Sequence, residues 1–219
     1  EVYENINLIR GDTLNKDFLR RNLNEIKPDI IIHMAAMPLA ALALEHTEEA
    51  YNSILTSTLN ILEIIRDFKH SCRIVFLSSS MVYGDFLSTQ VSETHKKAPK
   101  DIYGAFKLAG EYIVNGYAKN YSLNTVIVRP SAVYGPYDSN DRVVRKFIIN
   151  ALNKKPITID GDGSLKMDFS YVEDTAKGIA LCSLKSGIEN KIYNLSRGEA
   201  KSLKDLVKII QENISDVKI

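Results

Sequence analysis

The sequence predicts an α/β protein built on a doubly wound parallel sheet over residues 1–133, with a smaller lobe over 134–219 from which some segments return to the sheet. Three observations predict it. Asp29–Ala35 (DIIIHMA), Arg73–Leu77 in CRIVFL and Thr125–Val128 (TVIV) are unbroken apolar runs, the pattern of parallel strands covered on both faces. Segments with helical spacing lie between them, giving the strand–helix alternation of such a sheet. From Tyr134 the character changes, because YGPYDSNDR is rich in turn residues.

In chain order, Asn7–Arg10 reads as a short strand entering a turn at Gly11-Asp12, and Leu14–Leu23 as a helix stopped before Pro28. After DIIIHMA, one long helical pattern runs from about Leu39 to Phe68, with Leu55, Leu59, Leu62 and Ile65 as its apolar stripe. CRIVFL ends in Ser78, Ser79 and Ser80, then Val82-Tyr83-Gly84 and a polar, loop-like stretch to Pro99. Ile102–Glu111 opens a helix that continues to Tyr121, and TVIV closes on Arg129-Pro130. In the lobe, Val143–Leu152 reads as a helix, and Pro156–Ile159 as a strand before the Gly161-Asp162-Gly163 turn. Phe169–Val172 and Ile192–Leu195 read as strands with a helix between them. Ser202 and Asp205 cap a last helix over Leu203–Glu212.

Composition narrows the function classes. The formal net charge is +1, so no polyanion-binding surface is expected and nucleic acid is not an expected partner. The longest apolar candidate, Met34–Leu44, is broken by Pro38 and too short to span a membrane. Cys72 and Cys182 lie far apart, as buried thiols of a reducing, cytoplasmic setting would. His46, His70 and His95 show no metal-ligand spacing, and His33 after three isoleucines reads as a hydrogen-bonded core residue.

The chemistry sits in LSSSMVYG and IYGAFKLAGE. Tyr103 and Lys107 are four apart, so on a helix they share a face. An ammonium beside a phenol favours the phenolate, which brings a group of pKa about 10 nearer to use as a base. The spacing alone arises easily by chance in a chain with 11 tyrosines. Its context carries the argument: a small hydroxyl at the carboxyl end of a parallel strand, then a helix with Tyr and Lys, puts three polar groups where open α/β sheets bind ligands.

These pieces, with RGDTLN, VRPSAVYGP, ITIDGDGSLKMDFSYVED and YNLSRGEAKSLKDL in consistent order, resemble the extended short-chain dehydrogenase/reductases with a Rossmann-like sheet, specifically the NAD-dependent nucleotide-sugar epimerases and dehydratases. The resemblance implies that Ser79 is the catalytic hydroxyl, Tyr103 the base and Lys107 its activator and a holder of the nicotinamide ribose. Asp12 would meet the adenine, with Thr13 beside it. Ala35 and Ala36 would let the phosphates and ribose of NAD approach the backbone, and Leu77, Pro130 and Val133 would lie on the nicotinamide side. It also implies a nucleotide-diphosphate sugar as substrate, touched by Ser80, Met81, Ala132, Arg142 and Lys166. A homodimer would form through the Leu39–Phe68 and Tyr103–Tyr121 helices, unless Ile113, Val114 and Tyr117 are ordinary core residues.

Departures from the pattern refine this. Ser80 and Met81 stand where the 4,6-dehydratases of the family carry acids, so no residue there can take the C5 proton. Met81 also departs from the glutamate of decarboxylases. Ala132 and Ile54 replace common asparagines, and Met167 a common diphosphate-binding arginine, so Lys166 or Arg142 is expected to meet the diphosphate instead. No Gly-rich pyrophosphate turn is present, which leaves an expected gap in the sheet between the RGDTLN strand and DIIIHMA. The chain, which begins at Glu1, is therefore expected to be a piece of a longer enzyme and inactive alone. Three readings stay open: a C4 epimerase, a net C4 dehydrogenase, both with a place in surface-polysaccharide precursor synthesis, and a noncatalytic relative that binds partners.

Overall fold

The computed structural model describes residues 5–68, 70–86, 88, 90–140, 142–215 and 217; Leu87, Thr89 and Asp141, in the two turn-rich stretches, lie outside them. Helix α1 (Lys16–Ile26) starts where the Asn15 side chain accepts from the Phe18 amide, and it stops at Lys27, whose φ of 50° is left-handed, just before Pro28. β1 (Ile30–His33) follows. α2 (Ala40–Glu45), α3 (Thr47–Tyr51), a π-helical turn (Asn52–Thr56) and α4 (Ser57–Arg66) lead to β2 (Arg73–Leu77). A 3₁₀ turn over Ser80–Tyr83 and the long α5 (Ile102–Tyr121) precede β3 (Asn124–Pro130). Then come β4 (Val133–Tyr134), α6 (Val143–Leu152), β5 (Lys166–Asp168), β6 (Ser170–Tyr171), α7 (Val172–Leu184), β7 (Lys191–Leu195), β8 (Ala200–Ser202) and α8 (Leu203–Asn213).

The main sheet has the order β1-β2-β3-β7, parallel throughout. Successive side chains of a strand point to opposite faces. Ile74, Phe76 and Ile127 accordingly join Ile61, Leu62 and Ile65 of α4 and Val114 of α5 on one face. Val75, Val126 and Val128 meet Ile179 and Cys182 of α7 on the other. Each such fully buried aliphatic or aromatic side chain is worth about 1.5–3 kcal/mol. Cys72 and Cys182 are both free and buried. A third core, made by Val144, Phe147, Ala151, Leu206, Val207 and Ile210, joins α6 to α8 in the C-terminal lobe. Ser202 and Asp205 form a reciprocal capping box at the start of α8.

Four sequence expectations are corrected. Residues 6–12 form no strand: a strand needs a neighbour to hydrogen-bond, none pairs with them, and Ile6 and Leu8 are exposed. The expected gap within the sheet therefore does not arise, because β1 is simply its edge among the described residues. Pro156–Ile159 is also not a strand; its Ile157 is buried in the lobe core and Ile159 packs against it. The long helix over Leu39–Phe68 is broken at His46, where φ is −121° and ψ 62°. It widens into the π turn where the hydroxyls of Ser57 and Thr58 donate back to the carbonyls of Ser53 and Ile54, each at 2.5 Å. Val114 is fully buried, and Ile113 and Tyr117 pack on the same core.

Candidate active site

At the carboxyl ends of β1, β2 and β3 the sheet opens into a cleft of about 680 Å³, closed on its far side by β4, the start of α6 and β5. α5 lies close over β2 and the turn after it because Gly104 and Gly110, on its inner face, lack a side chain. A Cβ on Gly110 would stand 2.6 Å from the Phe76 ring, and one on Gly104 would stand 2.7 Å from the Met81 carbonyl. The helix begins with the Asp101 carboxylate accepting from the Gly104 amide at 2.8 Å. This cap and this close packing bring Tyr103 and Lys107 to the strand ends.

Ser79, extended at φ −158° and ψ 152°, begins the 3₁₀ turn, and its Oγ accepts from the Met81 amide at 3.2 Å. Lys107 is 4% exposed. Its Nζ donates to the Leu77 carbonyl at 2.7 Å and stands 5.7 Å from the centre of the Tyr103 ring. Burial pulls its pKa down to about 8. Burial pushes the Tyr103 phenol above its ordinary value; the Arg142 cation opposes that shift, the Asp101 carboxylate adds to it, and the Ser79 hydroxyl opposes it by hydrogen bonding to the phenol. Two cations thus stand by the phenol: Arg142, and Lys107, whose ammonium also donates to Leu77. Arg142 in turn donates to the carbonyls of Val133 at 3.3 Å and Pro38 at 3.4 Å, and so bridges the two walls.

Of the other residues named from the sequence, Ala36, Leu77, Ser80, Met81, Pro130, Ala132, Val133 and Lys166 line the same cleft. Asp12, Thr13 and Ala35 do not. The Asp12 carboxylate accepts from the Leu14 amide at 2.9 Å, and the Thr13 carbonyl accepts from the Asn60 side chain at 3.1 Å, so both belong to the turn that starts α1. His33 is a buried core residue, 2.9 Å from the Thr58 hydroxyl, with its pKa down to about 4 through burial and the Lys107 charge.

Sequence reasoning missed four residues beneath the cleft. Glu111 pairs with Arg129, and the two reach Ser78 and Tyr83. Glu111 continues the Tyr103–Lys107 series by another four residues, and Arg129 is a charge at the end of an apolar strand; either signal would have found them. Phe86, Met37 and Asp168 also line the cleft without having been named. Among the described residues no group of three or more His, Cys, Asp or Glu is placed to hold a metal, and no helix is long and apolar enough to cross a membrane.

The donor set fits the nicotinamide-ribose end of a dinucleotide. Ala36, Pro130 and Ala132 leave the backbone open to close approach, and an ammonium has three donors, of which Leu77 takes one. The pyrophosphate end has no Gly-rich turn in this sequence.

A parallel sheet with hydroxyl, phenol and ammonium in the cleft at its carboxyl edge defines a short-chain dehydrogenase/reductase. More narrowly, the chain belongs to the NAD dependent epimerase/dehydratase family, whose sequence pattern matches residues 1–196. It is 33% identical over 188 residues to an uncharacterized UDP-glucose epimerase, YtcB, of Bacillus subtilis, covering 84% of this chain and 58% of that one. It is 28% identical over 209 residues to the dTDP-glucose 4,6-dehydratase of Neisseria meningitidis, covering 91% and 59%. The structure of the UDP-glucuronic acid 4-epimerase of Bacillus cereus in complex with UDP-glucuronic acid and NAD superposes with a TM-score of 0.86 at 32% identity, covering 96% of this chain and 67% of that one. The chain spans about three fifths of the length of these two curated relatives.

Proposed function

We propose that the full-length protein is an NAD-dependent nucleotide-sugar 4-epimerase, acting on a hydroxyl at C4 of a sugar carried on a nucleoside diphosphate. The convergence of Ser79, Tyr103 and Lys107 in one cleft is the observation that carries this reading. Tyr103 takes the proton of the C4 hydroxyl and later returns it. Ser79 donates to the same oxygen and stabilises the charge that develops on it. Lys107 holds ribose hydroxyls and, with Arg142, keeps positive charge near the phenol. NAD, when bound beside Leu77, Pro130 and Val133, supplies the hydride acceptor of the oxidation and the hydride donor of the return. Arg142 and Lys166 meet the diphosphate, in the role that a missing arginine at Met167 would otherwise have.

Ser80 and Met81 line the cleft directly after Ser79, and neither can remove the C5 proton, which favours epimerisation over dehydration. If the ketone leaves before re-reduction, the same residues perform a net C4 dehydrogenation. We also place the protein in the cytoplasm as a supplier of surface-polysaccharide precursors, by analogy alone. Because Ile113, Val114 and Tyr117 belong to the core, a homodimer through the Leu39–Phe68 helices and α5 would have to use the exposed Tyr51, Leu59 and Tyr112 instead. Its size in solution by light scattering decides that point.

The deciding experiment purifies the full-length protein, assays tightly held NAD(H), and follows nicotinamide absorbance and product sugars over a panel of UDP-, GDP- and dTDP-sugars, with Tyr103→Phe as control. Epimer without net NADH supports the proposal; NADH that accumulates supports the dehydrogenase. A wild-type protein with no bound cofactor and no conversion overturns both in favour of a noncatalytic partner-binding relative.

A further inference from the structure

Beneath the wall that carries Ser79 lies an ion pair with no part in the proton transfers derived above. Glu111 is 2% exposed and Arg129 1%. Two nearly parallel bonds join them, Nε to Oε1 at 2.8 Å and Nη2 to Oε2 at 2.6 Å. Their remaining capacity is turned toward the site. The Ser78 hydroxyl donates to Glu111 Oε1 at 2.5 Å. Arg129 Nη1 donates to the Tyr83 hydroxyl at 2.6 Å and to the Glu93 carbonyl at 3.0 Å. Tyr83 donates in turn to Asn194 Oδ1 at 2.7 Å, and Asn194 Nδ2 donates to the Val91 carbonyl at 2.9 Å.

The anchors have a particular placement. Ser78 and Tyr83 stand on either side of Ser79, Ser80 and Met81, so the segment that presents the Ser79 hydroxyl to the cleft is tied to the pair at both ends. Glu111 is also on α5, eight residues after Tyr103 and on the same face. One carboxylate therefore references the Ser79 turn and the Tyr103 helix to each other. Burying two charges is not needed for stability, since apolar groups of the same volume serve as well or better. What a bidentate Arg–carboxylate pair adds is direction, because both planes are fixed.

We propose, building on the Ser79–Tyr103–Lys107 reading above, that the Glu111–Arg129 pair is the positioning element of this site, holding the Ser79 turn against the helix that carries Tyr103 through Ser78 and Tyr83. It touches neither substrate nor cofactor. It acts by restricting how far the Ser79 turn can move relative to α5.

The test reads the phenol itself. Full-length protein is labelled with ¹³Cζ-tyrosine, the Tyr103 resonance is assigned by its loss in Tyr103→Phe, and its titration is compared in wild type, Ser78→Ala and Glu111→Gln. The other charged groups around the phenol, Lys107 on its own helix, Arg142 at the start of α6, Asp101 at the cap, and Lys166 and Asp168 across the cleft, are untouched by these changes. A slackened Ser79 withdraws a donor from the phenolate, so the Tyr103 pKa is expected to rise by about half a unit or more in both variants. Turnover of the nucleotide sugar is expected to fall about tenfold in kcat, with KM changed by no more than about twofold. Tyr103 titrating as in wild type in a natively folded Ser78→Ala protein overturns the proposal. That variant removes a single hydroxyl, so it decides the matter even if Glu111→Gln does not fold. A wild-type protein without turnover sinks the enzymatic reading alone, because the titration still reports on the positioning.

Discussion

The two walls of the cleft are built by opposite means. On the sheet side, Lys107, Glu111 and Arg129 are nearly inaccessible, Gly104 and Gly110 let α5 approach within contact distance, and every charge has a partner. On the far side, Arg142 is held only by two long bonds to carbonyls and Lys166 is exposed. The chemistry is thus held by close packing, which cannot shift continuously. In the proposed function, recognition of the nucleotide sugar falls to the long side chains of the open wall. This contrast explains why the reaction type reads more clearly than the sugar.

Substitutions that break one wall should differ in kind from those that break the other. The largest effect is expected for Tyr103→Phe, with kcat lower by about 10²–10⁴ and nucleotide-sugar affinity nearly unchanged, measured by steady-state kinetics and calorimetric binding. Next comes Arg129→Met, which strands the Glu111 carboxylate and is expected to cost about 3–5 kcal/mol in urea unfolding. The same change at Arg142 is expected to stay within about 0.5 kcal/mol, since that side chain lies in an open site. Equal losses at the two positions would erase the distinction between the walls.

His33 sharpens the comparison through pH. Its folded-state pKa is about 4 against an ordinary 6.5, so below 6.5 the unfolded chain binds the extra proton and the folded chain does not. Stability from this group is complete above pH 6.5 and is lost as pH falls through 4, by about 3 kcal/mol in all. His33→Asn should flatten that slope in unfolding curves taken between these pH values. The smallest effect is expected for Arg142→Gln, where KM for the nucleotide sugar rises about tenfold, the worth of one charge-assisted hydrogen bond.

Legibility in the sequence follows the range of the forces involved. β1, β2 and β3 were legible because their apolar runs are continuous, although only β2 and β3 are buried on both faces and Ile32 of β1 is exposed; α6 and the Ser202–Asp205 cap were legible because their signals are local. Asn7–Arg10 has strand-like residues, but pairing is decided by a neighbour that no local pattern contains. The break at His46 and the π turn after it depend on hydroxyl–carbonyl bonds that periodicity does not register. Of the site, Ser79, Tyr103, Lys107 and nine other residues that line the cleft were legible through order and spacing. Arg129 was read only as the end of a strand, because its meaning lies in a partner on another element 18 residues away.

The helix face shared by Tyr103, Lys107 and Glu111 also limits how this protein can change over time. A helix turns about 100° per residue. One residue inserted between Lys107 and Glu111 would swing the carboxylate away from Arg129, and one inserted between Tyr103 and Lys107 would take the ammonium off Leu77. α5 can therefore be altered only residue for residue, its spacing inherited as a single unit.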